Sequence, residues 1–159
     1  MVELARPKIG ERVLDLSCGS GGFLIRFFLQ IRRAIQAMTC DEKKKNESIK
    51  QLVDIQIWDV EINPRLANLC RINLILHGDG FTNIYTGDSV SADPISNQNK
   101  QIYLKDYETD EMPKFDIILM NPPFNRPYTD ESVLNSFDLG RGRSSQGSDW
   151  LMLDRKSVV

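Results

Sequence analysis

The sequence predicts an α/β fold whose centre is a parallel sheet with helices on its faces. Apolar segments at 12–16, 55–60 and 82–86 each end at turn residues, and helical patterns follow the first two. A fourth apolar run, residues 117–120, stops before two prolines. Because a connection between parallel strands of one sheet is right-handed, we expect the strand order 3-2-1-4.

The composition is typical of one globular domain. The 159 residues are 41% hydrophobic and 26% charged. The net charge of −2 provides no overall basic field of the kind that attracts nucleic acid. Cys18, Cys40 and Cys70 lack metal-ligand spacing and are interpreted as reduced thiols of a cytoplasmic protein. Because of this cysteine spacing, we expect no metal site. Neither a membrane-spanning run nor a signal peptide is recognised, so we expect no membrane association.

The first strand, residues 12–16, leads into a glycine-rich turn at 17–22. A helix follows, with apolar residues at helical spacing: Phe23, Leu24, Phe27, Phe28, Ile31, Ile35 and Met38. A strand, a glycine turn and a helix together place a ligand against the backbone N–H groups at the helix start. Gly19 and Gly21 let that ligand approach without a Cβ in the way.

The residues around this turn favour a ligand with an amino-acid head and a nucleoside. Leu24 stands where a dinucleotide fingerprint has its third glycine, and the Gly-Lys-Ser/Thr of a P-loop is missing. Asp15, just before the turn, suits a cationic amine and would repel a pyrophosphate. S-adenosylmethionine carries the required groups.

A polar stretch at residues 39–54 contains Lys43, Lys44 and Lys45, balanced by acids. It is interpreted as a solvated helix end or loop, with a nucleic-acid contact as the alternative. The alternating apolar residues at 55–60 then predict the second strand.

Glu61 ends this second strand, and a second helix follows it. Asn63 is the predicted N-cap, Pro64 the first helical residue and Gly78 the stop. The apolar positions of this helix are Leu66, Leu69, Cys70, Ile72 and Leu76. An acid at such a strand end characteristically binds ribose hydroxyls. A solvated loop acid is the alternative for Glu61.

The third strand, residues 82–86, is also followed by an acid, Asp88. Its carboxylate could accept a hydrogen bond from an adenine amino group. Residues 90–114 form a long polar connection rich in amides and acids, which we expect to be flexible.

The fourth strand, residues 117–120, is predicted to be buried on both faces. Pro122 and Pro123 end it, because neither can donate to a sheet ladder. The Asn121 side-chain oxygen and the Pro122 carbonyl can accept the two N–H bonds of an exocyclic amino group. Phe124 can stack on a flipped base. The alternative is a strand-ending turn with Phe124 in the core.

The region after Phe124 has fewer sequence motifs. Residues 125–149 are rich in turn formers, and a disordered loop is the default prediction. Arg126, Arg141 and Arg143 could alternatively close on DNA phosphates. Another helix is predicted to open at Trp150.

Four segments thus stand in order at the expected strand ends: Asp15-Leu-Ser-Cys-Gly-Ser-Gly-Gly-Phe-Leu24, Glu61-Ile-Asn-Pro64, Gly87-Asp88 and Asn121-Pro-Pro-Phe124. Together they resemble the DNA adenine-N6 methyltransferases, most closely the modification subunits of type I restriction systems. The resemblance spans residues 7–124 and continues more weakly to Trp150. It implies a partial Rossmann-like, S-adenosylmethionine-dependent methyltransferase fold that transfers a methyl group to adenine N6 in DNA.

The resemblance also implies residue roles and partners. The cofactor-binding residues would be Asp15, Ser17, Gly19, Gly21, Gly22, Glu61, Ile62, Asp88 and Ser89. Of these, Asp15 and the glycines would hold the methionine portion, Glu61 the ribose and Asp88 the adenine. The catalytic residues at the target adenine would be Asn121, Pro122, Pro123 and Phe124. The implied partners are DNA, a specificity subunit and other modification or restriction subunits.

The chain is interpreted as one partial catalytic domain over residues 1–159. It comprises a cofactor-binding half at 7–90, a target-base corner at 115–124, and a loop and truncated tail at 125–159. Its first residues resemble the end of a longer helix, and residues 154–159 do not match the expected continuation. We therefore expect a fragment that is inactive alone.

Two other functions remain open at this point. An S-adenosylmethionine enzyme acting on rRNA guanine or on a protein glutamine amide also uses an Asn-Pro-Pro-aromatic corner, since those targets too present an NH₂ group. The chain could also be a non-catalytic remnant that binds cofactor or only pairs with a partner subunit.

Overall fold

The computed structural model describes residues 1–78, 83–90, 114–124 and 126–154. Most of the predicted polar connection, residues 91–113, lies outside these described residues, as do Thr82, Asn125 and residues 155–159 of the predicted tail. The helices are α1 (Val2–Ala5), α2 (Gly22–Gln36), α3 (Glu42–Gln51), α4 (Pro64–His77), α5 (Glu131–Asn135) and α6 (Ser148–Leu153). The strands are β1 (Val13–Asp15), β2 (Ile57–Glu61), β3 (Asn83–Thr86), β4 (Ile117–Ile118), β5 (Pro127–Tyr128) and β6 (Gln146–Gly147).

The main sheet has the order β3-β2-β1-β4. All of its pairings are parallel, and Val13 lies between Ile57 on one side and Ile117 on the other. The predicted order 3-2-1-4 is therefore confirmed. From β1 the chain adds β2 and β3 on one side of the sheet and then returns to add β4 on the other side of β1. The switch point, where open α/β sheets bind ligands, therefore lies between β1 and β4.

The two faces of the sheet carry different cores. On one face, α2 and α4 pack in a single apolar cluster with Val13, Ile57 and Ile84. This common face follows from the topology, because two successive right-handed crossovers in the same direction place their helices on the same side. The opposite face carries an aromatic cluster in which the Trp58 ring lies 6.0 Å from Tyr85 and 5.8 Å from Phe115.

The segment before β2 differs from its prediction. Residues 39–54 contain a ten-residue helix, α3, whose N-cap Asp41 accepts a hydrogen bond from the Lys44 N–H. A π-helical turn, Leu52–Gln56, then extends into the residues predicted as strand, and β2 begins only at Ile57. All five residues of β2 are buried, because one face of the strand packs in the helical cluster through Ile57 and the other in the aromatic cluster through Trp58.

The ends of α4 are confirmed, but its apolar face is not. The Asn63 side chain accepts from the Arg65 N–H, Pro64 is the first helical residue and Gly78 ends the helix with φ +91°. The residues that face the core are Ala67, Cys70 and Leu74. Of the predicted apolar positions only Cys70 is buried; Leu66, Leu69, Ile72 and Leu76 are exposed. Two of these core-facing side chains, Ala67 and Cys70, are small and permit close packing, and the helix is rotated accordingly.

The fourth strand and the region after it also depart from the predictions. The predicted strand 117–120 forms a ladder only at Ile117 and Ile118, and both are half-buried because β4 has one neighbouring strand within the described residues. The disordered loop predicted for 125–149 is wrong. Its described part forms the antiparallel pair β5–β6 and helix α5, and α6 includes the predicted helix at Trp150. These elements share a small core of Val90, Leu134, Phe137, Leu151 and Met152.

Among the described residues, we find no helix that combines the length and apolar character needed to cross a membrane.

Leu151→Ala should destabilise the chain by about 2–5 kcal/mol, because Leu151 is fully buried in the core of Val90, Leu134 and Phe137. The matched control is Leu153→Ala on the same helix, where the side chain is 68% exposed and the expected change is within about 0.5 kcal/mol. Urea unfolding of both variants measures the difference. Equal stability of the two variants would show that this C-terminal core contributes nothing.

Candidate active site

A cavity of about 220 Å³ opens at the carboxyl ends of the parallel strands. It is lined by Leu16, Ser17, Glu61, Ile62, Leu66, Asp88, Ser89, Asn121, Pro123, Arg126, Tyr128 and Met152. Seven of the predicted site residues are in this lining: Ser17, Glu61, Ile62, Asp88, Ser89, Asn121 and Pro123. The remaining six, Asp15, Gly19, Gly21, Gly22, Pro122 and Phe124, lie outside it. The cavity thus joins the predicted cofactor set to the predicted target-base corner.

Asp15, the last residue of β1, is 1% exposed. One of its carboxylate oxygens accepts a hydrogen bond of 3.0 Å from the Ser17 N–H. The other oxygen and the Ser17 hydroxyl are buried and have no hydrogen-bond partner among the described residues. Unpaired buried polar atoms are costly. These two atoms therefore have free capacity for a polar ligand.

The glycines of the turn serve two different purposes. Gly19 has φ +57° and Gly21 has φ +87°, in the left-handed region that side chains other than glycine rarely adopt. A Cβ on Gly21 would lie 2.6 Å from the Cys70 Sγ, so this glycine also permits close packing of α2 on α4. Gly22 begins α2, is exposed and has open space around its Cα. At Gly22 the structure shows no packing need for glycine.

Glu61 connects two strand–helix junctions. Its Oε2 accepts from the Gly19 N–H at 3.0 Å, and its Oε1 accepts from the Asn63 N–H at 2.8 Å. The residue is 6% exposed, so the alternative of a solvated loop acid is wrong. Each oxygen retains one lone pair for a further donor. Sequence reasoning did not reveal the clamp on Gly19, because that contact crosses 42 positions.

Three buried carboxylates, Asp15, Asp59 and Glu61, lie beneath the glycine turn. None of them forms an ion pair with any residue in the described ranges. Burial raises the pKa of Asp15 to about 7, with a smaller contribution from the Glu61 charge. Burial also raises the pKa of Asp59 well above its usual value. A cationic ligand would stabilise the ionised forms of these groups.

A second buried group in this region is a cluster of Cys18, Asp59 and Cys70, whose donor atoms lie within 4.8 Å of one another. The Cys18 thiol donates to the Asp59 Oδ2 at 2.8 Å. Spacing in the sequence could not reveal this cluster, because its members come from the glycine turn, β2 and α4.

The adenine side of the predicted site contains a residue that sequence reasoning missed. The Tyr128 hydroxyl donates to the Asp88 carboxylate, at 2.8 Å from Oδ1 and 2.7 Å from Oδ2. Asp88 Oδ1 also accepts from the Val90 N–H at 3.0 Å, and the Ser89 hydroxyl donates to the Leu16 carbonyl at 2.8 Å. These bonds fix the loop after β3 against the end of β1.

The target-base corner is open on its aromatic side. Phe124 is 69% exposed, so the alternative in which it belongs to the core is wrong. Asn121 is exposed at the cavity, and its carboxamide makes no hydrogen bond to a described residue. The Pro123 carbonyl accepts a 2.6 Å hydrogen bond from the Ser148 hydroxyl, which is fully buried. The corner is therefore held from behind by α6, while its polar edge stays available.

A family model described as N-6 DNA Methylase matches residues 1–152. The chain is 30% identical over 124 residues to the type I restriction enzyme EcoEI methylase subunit of Escherichia coli, covering 78% of this chain and 21% of that protein. It is 30% identical over 132 residues to the type II restriction enzyme and methyltransferase RM.BcgI of Heyndrickxia coagulans, covering 83% and 17%. The chain therefore spans about a fifth of the length of these curated relatives.

A solved structure of a type I modification subunit has a similar fold. The crystal structure of a modification subunit from Vibrio vulnificus YJ016 matches with a TM-score of 0.67 and 27% identity. The match covers 96% of this chain and 27% of that subunit. The predicted partial Rossmann-like fold is confirmed.

The raised pKa of Asp15, about 7, should make stability depend on pH. A group whose pKa is higher in the folded state stabilises it at low pH, and this contribution is lost as pH rises toward the folded value. Relative to Asp15→Asn, wild type should lose about 1.4 kcal/mol per pH unit between the unfolded and folded pKa values. Urea unfolding of both proteins from about pH 5 to about pH 7 measures this difference in slope. Parallel pH profiles would contradict it.

Proposed function

The chain belongs to the N-6 DNA methylase family, and we propose that it forms the catalytic part of a DNA methyltransferase. The reaction would transfer a methyl group from S-adenosylmethionine to the N6 atom of adenine. The relatives named above are parts of restriction enzymes or are themselves restriction enzymes, which supports a role in restriction–modification. These names do not favour the alternatives of rRNA guanine or protein glutamine methylation.

One observation carries the proposal. A single cavity is lined by Ser17, Glu61 and Asp88 from three strand ends and by Asn121 and Pro123 from the fourth. A transferase that moves one group between two ligands needs both in one enclosed space. The geometry thus supports a cofactor site and an acceptor site that meet.

The residues present fit S-adenosylmethionine. The free oxygen of Asp15 and the hydroxyl of Ser17 offer polar partners for its amino-acid head, and the unpaired acids favour its positive charge. The remaining lone pairs of Glu61 suit the two ribose hydroxyls, and Asp88 suits the adenine amino group. When bound, the cofactor supplies an electrophilic methyl group.

The chain's own contribution lies at the corner. The Asn121 oxygen and the Pro122 carbonyl would accept the two N–H bonds of the target amino group and hold it against the cavity. The exposed Phe124 ring would stack on the base. Both acceptors bind more strongly as the nitrogen gains positive charge, so they favour the transition state. The only histidine, His77, is the last residue of α4, has a ring nitrogen 2.7 Å from the Asn73 carbonyl and lies outside the cavity lining.

The partners of the complete enzyme follow from the same relatives. The EcoEI protein is named as a subunit of a type I restriction enzyme. We propose that this chain likewise acts on DNA within an assembly that includes specificity and restriction subunits.

Calorimetric titration of the chain with S-adenosylhomocysteine tests the cofactor assignment. Wild type should bind, and Glu61→Gln should weaken binding by about tenfold or more, because the amide NH₂ would face either the Gly19 N–H or the Asn63 N–H and would remove one acceptor for the ribose hydroxyls. Glu47→Gln, at an exposed position of α3, is the matched control and should bind as wild type does. A folded wild-type chain without affinity for this ligand would overturn the proposal.

Asn121→Ala should lower kcat by about 10²–10³ in an assembly that contains this chain and methylates DNA. Cofactor affinity should change little, because Asn121 belongs to none of the three cofactor junctions. The measurement is methyl incorporation at adenine N6 of unmethylated DNA, with RNA and protein acceptors as parallel arms. Asn135→Ala, on the exposed side of α5, serves as control. Near-normal turnover of Asn121→Ala would remove this residue from the mechanism.

A further inference from the structure

Tyr128 reaches across 40 positions of the sequence to bind Asp88. Both residues line the cavity, and the single hydroxyl hydrogen of Tyr128 is shared between the two carboxylate oxygens. The Val90 N–H occupies a further lone pair of Oδ1 at 3.0 Å. The plane of the carboxylate is thereby fixed, and Oδ2 keeps a lone pair for a donor within the cavity.

The protonation state of Tyr128 suits this role. Burial raises the pKa of its phenol, and the hydrogen bond to Asp88 raises it further. The residue therefore stays neutral at physiological pH and donates its hydrogen to the carboxylate. The Arg126 guanidinium lies 5.7 Å from the centre of the Tyr128 ring and holds the ring by a cation–π contact.

The antiparallel pair β5–β6, with the start of α6, also holds the target-base corner. Tyr128 in β5 pairs with Gln146 in β6, and the Ser148 N–H that follows donates to the Arg126 carbonyl at 2.9 Å. The Ser148 hydroxyl donates to the Pro123 carbonyl at 2.6 Å. Tyr128 in β5 thus contacts the predicted adenine acceptor, and Ser148 at the start of α6 contacts the corner.

We propose that Tyr128 is a positioning residue that orients Asp88 toward the purine amino group of the cofactor and links this group to the target-base corner. The inference rests on the proposed function and assigns a further residue to it. A fixed carboxylate accepts from a 6-amino group and repels the oxygen of a 6-oxo group. The hydroxyl of Tyr128 should therefore contribute to discrimination between these two purines.

The test compares two ligands of the chain, S-adenosylhomocysteine and its 6-oxo counterpart, S-inosylhomocysteine. Wild type should prefer the amino ligand by about tenfold or more, since the 6-oxo ligand would replace a donor to the Asp88 carboxylate with a second acceptor. Tyr128→Phe should lower this preference to about threefold or less, chiefly by weakening the amino ligand. Calorimetry gives both affinities, and circular dichroism verifies the fold.

Tyr85→Phe is the matched control. Its hydroxyl donates to Asn83 at 3.2 Å in the buried sheet and lies outside the cavity lining, so the ligand preference should remain. Tyr128→Met provides a second variant and should reduce the preference in the same way. Combining Tyr128→Phe with Asp88→Asn should reduce the preference no further than Asp88→Asn alone, because the two residues act through one contact.

The outcomes separate the two proposals. An unchanged preference in Tyr128→Phe and Tyr128→Met, with wild type binding normally, overturns the role of Tyr128 and leaves the proposed function standing. A loss of preference that is equal in Tyr85→Phe also overturns it, since it would reflect general loosening. If wild type binds neither ligand, both the proposed function and this inference fall.

Discussion

The edge of the sheet that bears the candidate active site depends on the two hydrogen bonds accepted by the Glu61 carboxylate. One fixes the Gly19 N–H after β1, and the other fixes the Asn63 N–H at the start of α4. A hydrogen bond to a charged group contributes about 1.5–3 kcal/mol, and the carboxylate that accepts both of these bonds is buried. Because Glu61 joins two junctions that are far apart in sequence, it sets the shape of the turn before any ligand arrives. A residue predicted to bind the cofactor is thus also part of the framework.

Unlike the two hydrogen-bonded oxygens of Glu61, the carboxylates of Asp15 and Asp59 beneath the glycine turn are incompletely paired. Asp15 and Asp59 are buried without a cationic partner among the described residues, and one oxygen of each has no hydrogen bond. Such an arrangement lowers the stability of the ligand-free domain. It is understandable at a site for a cationic ligand, where the missing interaction would come from the ligand itself. Functional sites commonly retain unfavourable groups of this kind.

The segment from Arg126 through α6 contributes Arg126, Tyr128 and Met152 to the lining of the cavity. Tyr128 in β5 binds Asp88, and Ser148 at the start of α6 binds the Pro123 carbonyl. A small apolar core that includes Leu134 and Leu151 holds this unit together. The segment with the weakest sequence signal therefore contributes one wall of the candidate active site.

The sequence by itself determined the features that depend on local physics. The caps of α4 at Asn63 and Gly78 and the stop at the prolines after β4 follow from side-chain capping and missing N–H groups, which act over a few residues. The parallel strand order could also be predicted, because the alternation of strands and helices is subject to a general rule on the handedness of their connections. The tertiary structure alone decided the rotation of α4, the contact between Tyr128 and Asp88 and the folding of the segment from β5 to α6. Each of these depends on residues brought together from distant positions, because packing and hydrogen bonding in a core are decided by neighbours in space.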